Sequence, residues 1–452
     1  MNLLFDIETN GLLEDTTKIH SLVIFNEETR ELVSCTDHKG YIYGSDNSYK
    51  GQPIWQGLKL LEEADVLIGH NIVKFDLPAI EKIYPEFNFR GKTFDILLVS
   101  KLVYPDVGEL DDMNIRKERF PKKLRGKYSL KAWGYRLGEL KRDYCEQFRS
   151  AREQNSSFSS LSTDYRENCW LEWTPGMQRY CEQDVMVTKK LYDHLKKQYL
   201  SPQAFDIEHK FAKIIGLQEQ RGVCFDKEKA IEFASILVEE KADLERKLKL
   251  AFPNEIKEEV FVPKVNNKSR GYVKGEPFTK RIEIEFNPSS RQMLAQGLIK
   301  KYGWKPEKKT ETGLAVIDEE VIESLDYPEA PLLKQWFIVT KTLGALTEGR
   351  NAWLKTEKQG IIHGGVDTIG AVTGRCSHSN PNLAQVPSAW SAFGKECREL
   401  FKAREGFRLI GTDASGLELR MLAHYMKDPS YTNEILNGDI HTKNQLAAGL
   451  PT

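Results

Sequence analysis

Hydrophobic and polar residues alternate along this chain in ways that change character three times. Asn2 to Ile7 is a compact apolar run, and Asp65-Val-Leu-Ile-Gly69 is a second that ends in the polar turn His70-Asn71; both predict buried strands. Asp76-Leu-Pro78 marks a helix start, and Tyr180-Cys-Glu-Gln-Asp184 opens a helix that continues through Leu191 and Leu195. From Asp206 the spacing of Phe211, Ile214, Ile215 and Leu217 predicts a long helix broken at Arg221-Gly222. Ala230 to Leu250 predicts another, with charge pairs four residues apart. Arg281-Ile-Glu-Ile-Glu-Phe286 alternates with a period of two, as a strand does. Farther on, Leu409 and Ile410 read as a short buried strand that delivers Asp413 to its carboxyl end, and Leu417, Leu419, Met421 and Leu422 as the helix behind it. Gln154-Asn-Ser-Ser-Phe-Ser-Ser-Leu-Ser-Thr163 reads as a flexible polar loop.

A chain of 452 residues has room for two to four domains, each with its own core. Its 65 basic and 66 acidic residues give a net charge of -1, so any nucleic-acid contact must come from local basic patches. The 7 cysteines include no C-x-x-C pair, which predicts reduced thiols. No apolar run has the length of a membrane span, and Met1-Asn-Leu-Leu-Phe-Asp6 lacks the regions of a signal peptide, so a soluble intracellular protein without membrane contact is expected.

The candidate chemistry is carried by acids. Asp6 and Glu8 are two apart on one strand and so share a face, where two carboxylates repel unless a cation sits between them. Most acid-x-acid pairs are merely solvated, Asp76 could be a helix-start acid, and His70 a hydrogen-bonded turn residue. Tyr180 and Asp184 lie four apart on one helix face. In this order, Asp6-x-Glu8, Asn71 with Asp76, and Tyr180-x-x-x-Asp184 resemble the three motifs of DnaQ-type (DEDDy) 3′→5′ exonucleases. That resemblance implies an RNase H-like α/β domain and two bound Mg²⁺ ions, with Mn²⁺ as the alternative. Asp6, Glu8 and Asp184 would hold the first ion and Asp6 with Asp76 the second, and Tyr180 would orient the attacking water.

Two basic segments stand out from the balanced whole. Arg116 to Lys127 carries seven basic residues against Glu118 alone, which is either a solvated loop or a phosphate-steering surface beside the acids. Trp133 and Tyr135, just beyond it, are expected as core aromatics. Lys264, Lys268, Arg270, Lys274, Lys280 and Arg281 predict a basic hairpin over about 256–286 that touches phosphates without reading bases.

Two later strings extend the resemblance. Thr373-Gly-Arg375-Cys-Ser377 followed by Pro381-Asn-Leu-Ala-Gln385-Val-Pro387, and Asp413-Ala-Ser-Gly-Leu-Glu418-Leu-Arg420, are similar to the signatures of family A DNA polymerases, in particular those of short-tailed phages of the coliphage T-seven type. Arg375 and Gln385 can donate to the minor-groove acceptors that every base pair presents. The resemblance makes Asp413 one of two metal-bridging palm aspartates, with the Ala414 carbonyl completing the coordination. Glu418 would help exclude the ribose 2′-hydroxyl. Asp439-Ile-His441-Thr442 resembles the family's nucleotide-phosphate motif, although Asp413 could instead cap its helix and His441 its turn.

The fold expected is therefore an RNase H-like exonuclease domain (1–200), a helical thumb (201–356), the first half of a palm (357–425) and the start of the fingers (426–452). The segment between thumb helix and Phe286 is much shorter than the insertion that binds thioredoxin in the T-seven type, so thioredoxin is not predicted as a partner. The sequence reaches Thr452 where the family continues into the fingers and the second palm aspartate, so no nucleotide addition by this chain alone is expected. The expected partners are primer-template DNA, single-stranded DNA 3′ ends and a second polypeptide that completes the polymerase and with it the dNTP site, in the cytoplasm of an infected bacterial host. The alternatives are the leading part of an ordinary single-chain polymerase, or a DNA-binding assembly subunit without chemistry.

Overall fold

A computed structural model describes residues 1–38, 42–43, 49–139, 144–145, 169–252 and 254–450. The polar loop expected at Gln154–Thr163 lies outside them. Two compact units are present, Met1–Phe401 and Lys402–Thr452.

The first unit begins with a five-stranded sheet in the order β3-β2-β1-β4-β5, built from β1 (Asn2–Thr9), β2 (Ile19–Asn26), β3 (Leu32–Cys35), β4 (Val66–Gly69) and β5 (Lys92–Asp95). β1 runs antiparallel to β2, with Asp6 opposite Val23 and Glu8 opposite Ser21, and parallel to β4. The alternation of β1 divides the core. Leu3, Phe5 and Ile7 pack with Ile54, Leu58 and Leu61 of α1 (Ile54–Glu62) and with Ala79 and Ile80 of α2 (Asp76–Ile83). Leu4 points the other way, into a cluster with Ile96 and Val99 of α3 (Ile96–Val103) and with Val185 and Leu191 of a longer helix. Asp6 and Glu8 share the parity of Leu4 and face that second layer.

After α4 (Val107–Arg116) and α5 (Leu130–Leu137), the long helix α6 (Pro175–Leu195) starts at a Thr174 cap that accepts from Met177 N. Trp133 is buried among these helices and Tyr135 is half-buried against Phe120, as expected of core aromatics. Arg136 stacks over Trp133 and pairs with the buried Asp111 at 2.8 Å.

α7 (Pro202–Arg221) ends where the sequence places the break: Gly222 has φ 61°, and a Cβ there would sit 2.5 Å from Ile361 Cγ2. It packs on the exonuclease domain. Ala212 joins the core of the exonuclease domain, Phe205 meets Phe94 at 5.3 Å, and the Asp95 N–H donates to His209 Nε2 at 2.8 Å. The physical reason is its apolar stripe, which fits the β5–α3 edge. The second long helix, α8 (Lys227–Ala251), instead packs against a later helix, Ala330–Leu343, through Leu237, Leu244, Leu333 and Trp336.

The basic hairpin forms as expected, with β6 (Glu255–Phe261) antiparallel to β7 (Phe278–Ile284), Phe261 opposite Phe278. Phe261, Tyr272 and Phe278 pack on one another with centroids 5.0 to 5.7 Å apart. A second hairpin pairs β8 (Gly365–Asp367) with β9 (Ser377–Ser379), and Ile369 in its turn is buried in the exonuclease core.

In the second unit the helix expected from Leu417 forms as Leu417–Met426, followed by Pro429–Asn437 and Ile440–Ala447. The buried strand expected at Leu409–Ile410 does not form: the segment has no strand geometry, and the two residues are 65 % and 88 % exposed. A strand needs a neighbour to take up its N–H and C=O groups, and none of the described strands pairs with it. The expectation of reduced cysteines is also corrected at one place. Cys145 and Cys169 are joined as a disulfide, their Cα atoms 6.0 Å apart and within bridging span, while Cys35, Cys181, Cys224, Cys376 and Cys397 are free.

Candidate active site

Four carboxylates of the first unit converge where the end of β1 meets the first turn of α2 and the middle of α6. Asp76 is buried at the head of α2, and its Oδ1 accepts from the Ile7 N–H at 3.2 Å, so it is bonded to the residue between Asp6 and Glu8. Asp184 is buried on α6, one turn after Tyr180. The carboxylates of Asp6 and Glu8 come together with the Cys181 sulfur, all three donor atoms within 4.8 Å of one another.

The electrostatics follow from this crowding. Loss of solvent pushes the Asp76 carboxyl up to about 7, offset by the Ile7 N–H and reinforced by the charges of Asp95 and Asp184. Burial likewise raises the Cys181 thiol well above its usual range, with Asp6, Glu8, Asp184 and Asp76 all adding to the shift. Converging hard oxygen donors of this kind fit Mg²⁺ or Mn²⁺.

Tyr180 is half-buried and held by two aromatic neighbours, Tyr144 at 5.8 Å and Trp170 at 6.0 Å. His70 takes the turn role foreseen for it, with Nε2 2.8 Å from the Tyr128 carbonyl, and Asn71 adopts φ 68°. The Asn71 and Val73 N–H groups donate to the Asp95 carboxylate at 2.9 and 3.1 Å, and Leu97 N donates at 3.0 Å. Asp95 thus fixes the turn that leads to Asp76. Sequence reading missed it because a lone acid at a strand end carries no motif. Cys181 was missed because it sits inside the Tyr180–Asp184 motif as an apparent filler.

The basic run after α4 is exposed from Arg116 to Arg119 and again at Lys122, Lys123, Arg125 and Lys127; Arg125 is engaged with Asp112 at 2.5 and 2.8 Å.

The remaining candidates are placed separately. Arg375 is exposed at the end of the turn between β8 and β9, where its carbonyl accepts from Gly370 N and Ala371 N at 3.1 and 3.0 Å. Gln385 is exposed on the 3-10 turn Leu383–Gln385, which the Asn382 side chain caps through Ala384 N at 3.1 Å. In the second unit Asp413, Ala414 and Glu418 are exposed, Glu418 in the first turn of Leu417–Met426. Asp439 accepts from Thr442 Oγ1 at 2.7 Å at the start of the helix that carries His441.

Residues 3–196 match the RNase H superfamily and residues 272–448 match DNA polymerase family A. The chain is 35% identical to the DNA-directed DNA polymerase of Escherichia phage T7, over 99% of its own length and 73% of that protein's. It is 34% identical to the DNA-directed DNA polymerase of Enterobacteria phage T3, over 100% and 73% of the two lengths. The POL domain of Pol1 from M. smegmatis, solved with DNA primer-template and dNTP, superimposes with a TM-score of 0.61 at 15% identity, over 99% of this chain and 64% of that one, which speaks for the fold alone. The chain belongs to the family A DNA polymerases and carries an RNase H-like exonuclease domain. Within the family it is a relative of the phage T7 and T3 polymerases. Among the described residues no helix is long and apolar enough to cross a membrane.

Proposed function

We propose that this chain is a metal-dependent 3′→5′ proofreading exonuclease and, in the same molecule, the primer-template-binding part of a phage replicative DNA polymerase, acting in the cytoplasm of the infected bacterial host. The observation that carries the nuclease reading is the convergence of Asp6, Glu8, Asp76 and Asp184 at one end of β1. Asp6, Glu8 and Asp184 would hold one divalent ion, and Asp6 with Asp76 a second. Such a pair supplies a water made acidic near neutral pH and charge stabilisation for the departing 3′ oxygen.

The protein's own groups do the rest. Tyr180, steadied by Tyr144 and Trp170, would orient the attacking water. Asp76 must give up its proton before it can serve as a ligand. The exposed basic run from Arg116 to Lys127 would draw the phosphate backbone toward the acids. The chain incubated with Mg²⁺ should shorten single-stranded DNA from its 3′ end, and Asp6→Ala combined with Glu8→Ala should abolish this. Undiminished shortening by the double variant would remove the site assignment, and a wild-type chain that binds primer-template without cutting it would favour a non-catalytic assembly subunit.

DNA synthesis in this family uses a second metal-bridging carboxylate and the fingers, and we infer that such parts pack on the surface around Asp413. The support is the exposed apolar set Leu409, Ile410, Leu417, Met421 and Leu422 around Asp413. With those parts in place Asp413 and the Ala414 carbonyl would bind Mg²⁺, Glu418 and His441 would contact dNTP, and Arg375 and Gln385 would grip the primer-template. Primer extension by this chain alone would overturn the inference.

A further inference from the structure

Cys181 lies at the carboxylate centre, yet hydrolysis gives it nothing to do. A buried cysteine is ordinarily a small apolar residue, and Cys181 does pack with Val23, Val185 and Leu191. Its sulfur, however, is 3.4 Å from the Asp6 carbonyl oxygen and 3.9 Å from Asp6 Oδ2. With Glu8 it completes a three-donor cluster that spans at most 4.8 Å.

Mg²⁺ takes oxygen ligands in an octahedron and leaves thiolates alone. Zn²⁺ and the softer Cd²⁺ are held by mixtures of sulfur and carboxylate oxygen. A tetrahedral ion with a sulfur at about 2.3 Å and an oxygen at about 2.0 Å spaces those donors by roughly 3.5 Å. The 3.9 Å between Cys181 and Asp6 therefore closes with a shift of a few tenths of an ångström. We propose that Asp6, Glu8 and Cys181 form a site for a thiophilic divalent cation of the Zn²⁺ and Cd²⁺ class, which overlaps the Mg²⁺ site and silences the nuclease. On binding, the sulfur–hydrogen bond breaks, the sulfur–metal bond forms and the proton passes to solvent; no electron is transferred.

The binding half of this proposal stands on geometry, and only the inhibitory half rests on the nuclease reading above. The test is a Cd²⁺ titration of the full chain, followed by the ultraviolet charge-transfer band of a cadmium–thiolate bond. Wild type, Cys181→Ser and Asp6→Asn are compared after a thermal melt shows that each is folded. The other free cysteines contribute equally to all three proteins, so the difference spectra isolate Cys181. Wild type should show a band saturating at one equivalent that both variants lose. Where the nuclease is active, Cys181→Ser should need at least about tenfold more Cd²⁺ for half-inhibition, measured against its own uninhibited rate. A band unchanged by Cys181→Ser, or inhibition identical in wild type and Cys181→Ser, would overturn the proposal. A Cys181-dependent band in a chain that never cuts DNA would keep the cation site and remove the nuclease.

Discussion

Lys74, in the turn before Asp76, and Glu219, on α7, form an ion pair at 2.8 Å beside the hairpin leading into the polymerase signature. The same Glu219 oxygen accepts from Val366 N at 2.6 Å, and Lys74 also reaches the Val366 carbonyl at 2.5 Å. Next to them Lys101, almost wholly buried, pairs with Asp367. The segment before Asp76 and the strand before Arg375 are thus tied to one helix, α7. Lys74→Met should destabilise the Met1–Phe401 unit by about 1–3 kcal/mol, because a partly buried carboxylate loses its counter-charge. A double-mutant cycle with Glu219→Gln in denaturant melts checks this. Additivity within about 0.3 kcal/mol would mean that the two side chains are not energetically coupled.

The Asp76 carboxyl predicts a pH dependence of defined sign. Its folded value, about 7, lies above the ordinary 3.8, so the folded chain binds a proton that the unfolded chain releases. Stability from this group is full below about pH 4 and is lost as pH rises toward 7, on the order of 2–4 kcal/mol if metal is withheld. In chelator, the melting temperature of wild type relative to Asp76→Asn should therefore fall between pH 5 and pH 8, and added Mg²⁺ should recover more at pH 8 than at pH 5. A constant difference between the two proteins across that range would refute it.

His209 titrates with the opposite consequence. Burial holds its imidazole below the usual range, and Nε2 accepts from the Asp95 N–H while Nδ1 donates to the Phe205 carbonyl at 2.8 Å. A histidine whose folded pKa is depressed contributes stability above its unfolded value of about 6.5 and loses it as pH falls below that. His209→Leu should remove this acid-side loss. It should also cost about 1–3 kcal/mol at pH 8, since the buried Asp95 N–H is left without an acceptor. Melts of the two proteins at pH 5.5 and pH 8 separate the two effects.

What could be read from the residues depended on how local the physics was. Period-two packing fixes the faces of β1, so the sequence alone places Asp6 and Glu8 on one side. The break at Gly222 was equally legible, because only glycine fits a positive φ against Ile361. Asp95 and Cys181 were not legible. Their importance comes from neighbours 22 to 24 residues away in one case and 175 in the other. The partner of α7 was not legible either, because an amphipathic stripe states that something covers it and not what. Leu409–Ile410 has the composition of a buried strand, but strand formation is a property of pairs, and its pair is not among the described strands.

That unpaired segment supports the last prediction. Ile410 is 88 % exposed and Met421 50 %, in a unit whose helices leave much of their apolar surface uncovered. If a second polypeptide covers this surface and so completes the polymerase, a charge placed there should harm assembly far more than folding. Ile410→Lys and Met421→Lys should leave the melting of the chain alone unchanged within about 0.5 kcal/mol, as substitutions on open surface do. In mixtures with the completing polypeptide, the same variants should lower primer extension at least tenfold, while 3′→5′ shortening of single-stranded DNA, whose acids belong to the other unit, stays at the wild-type rate. Extension that survives both lysines would show that the exposed face around Asp413 is not where the polymerase is completed.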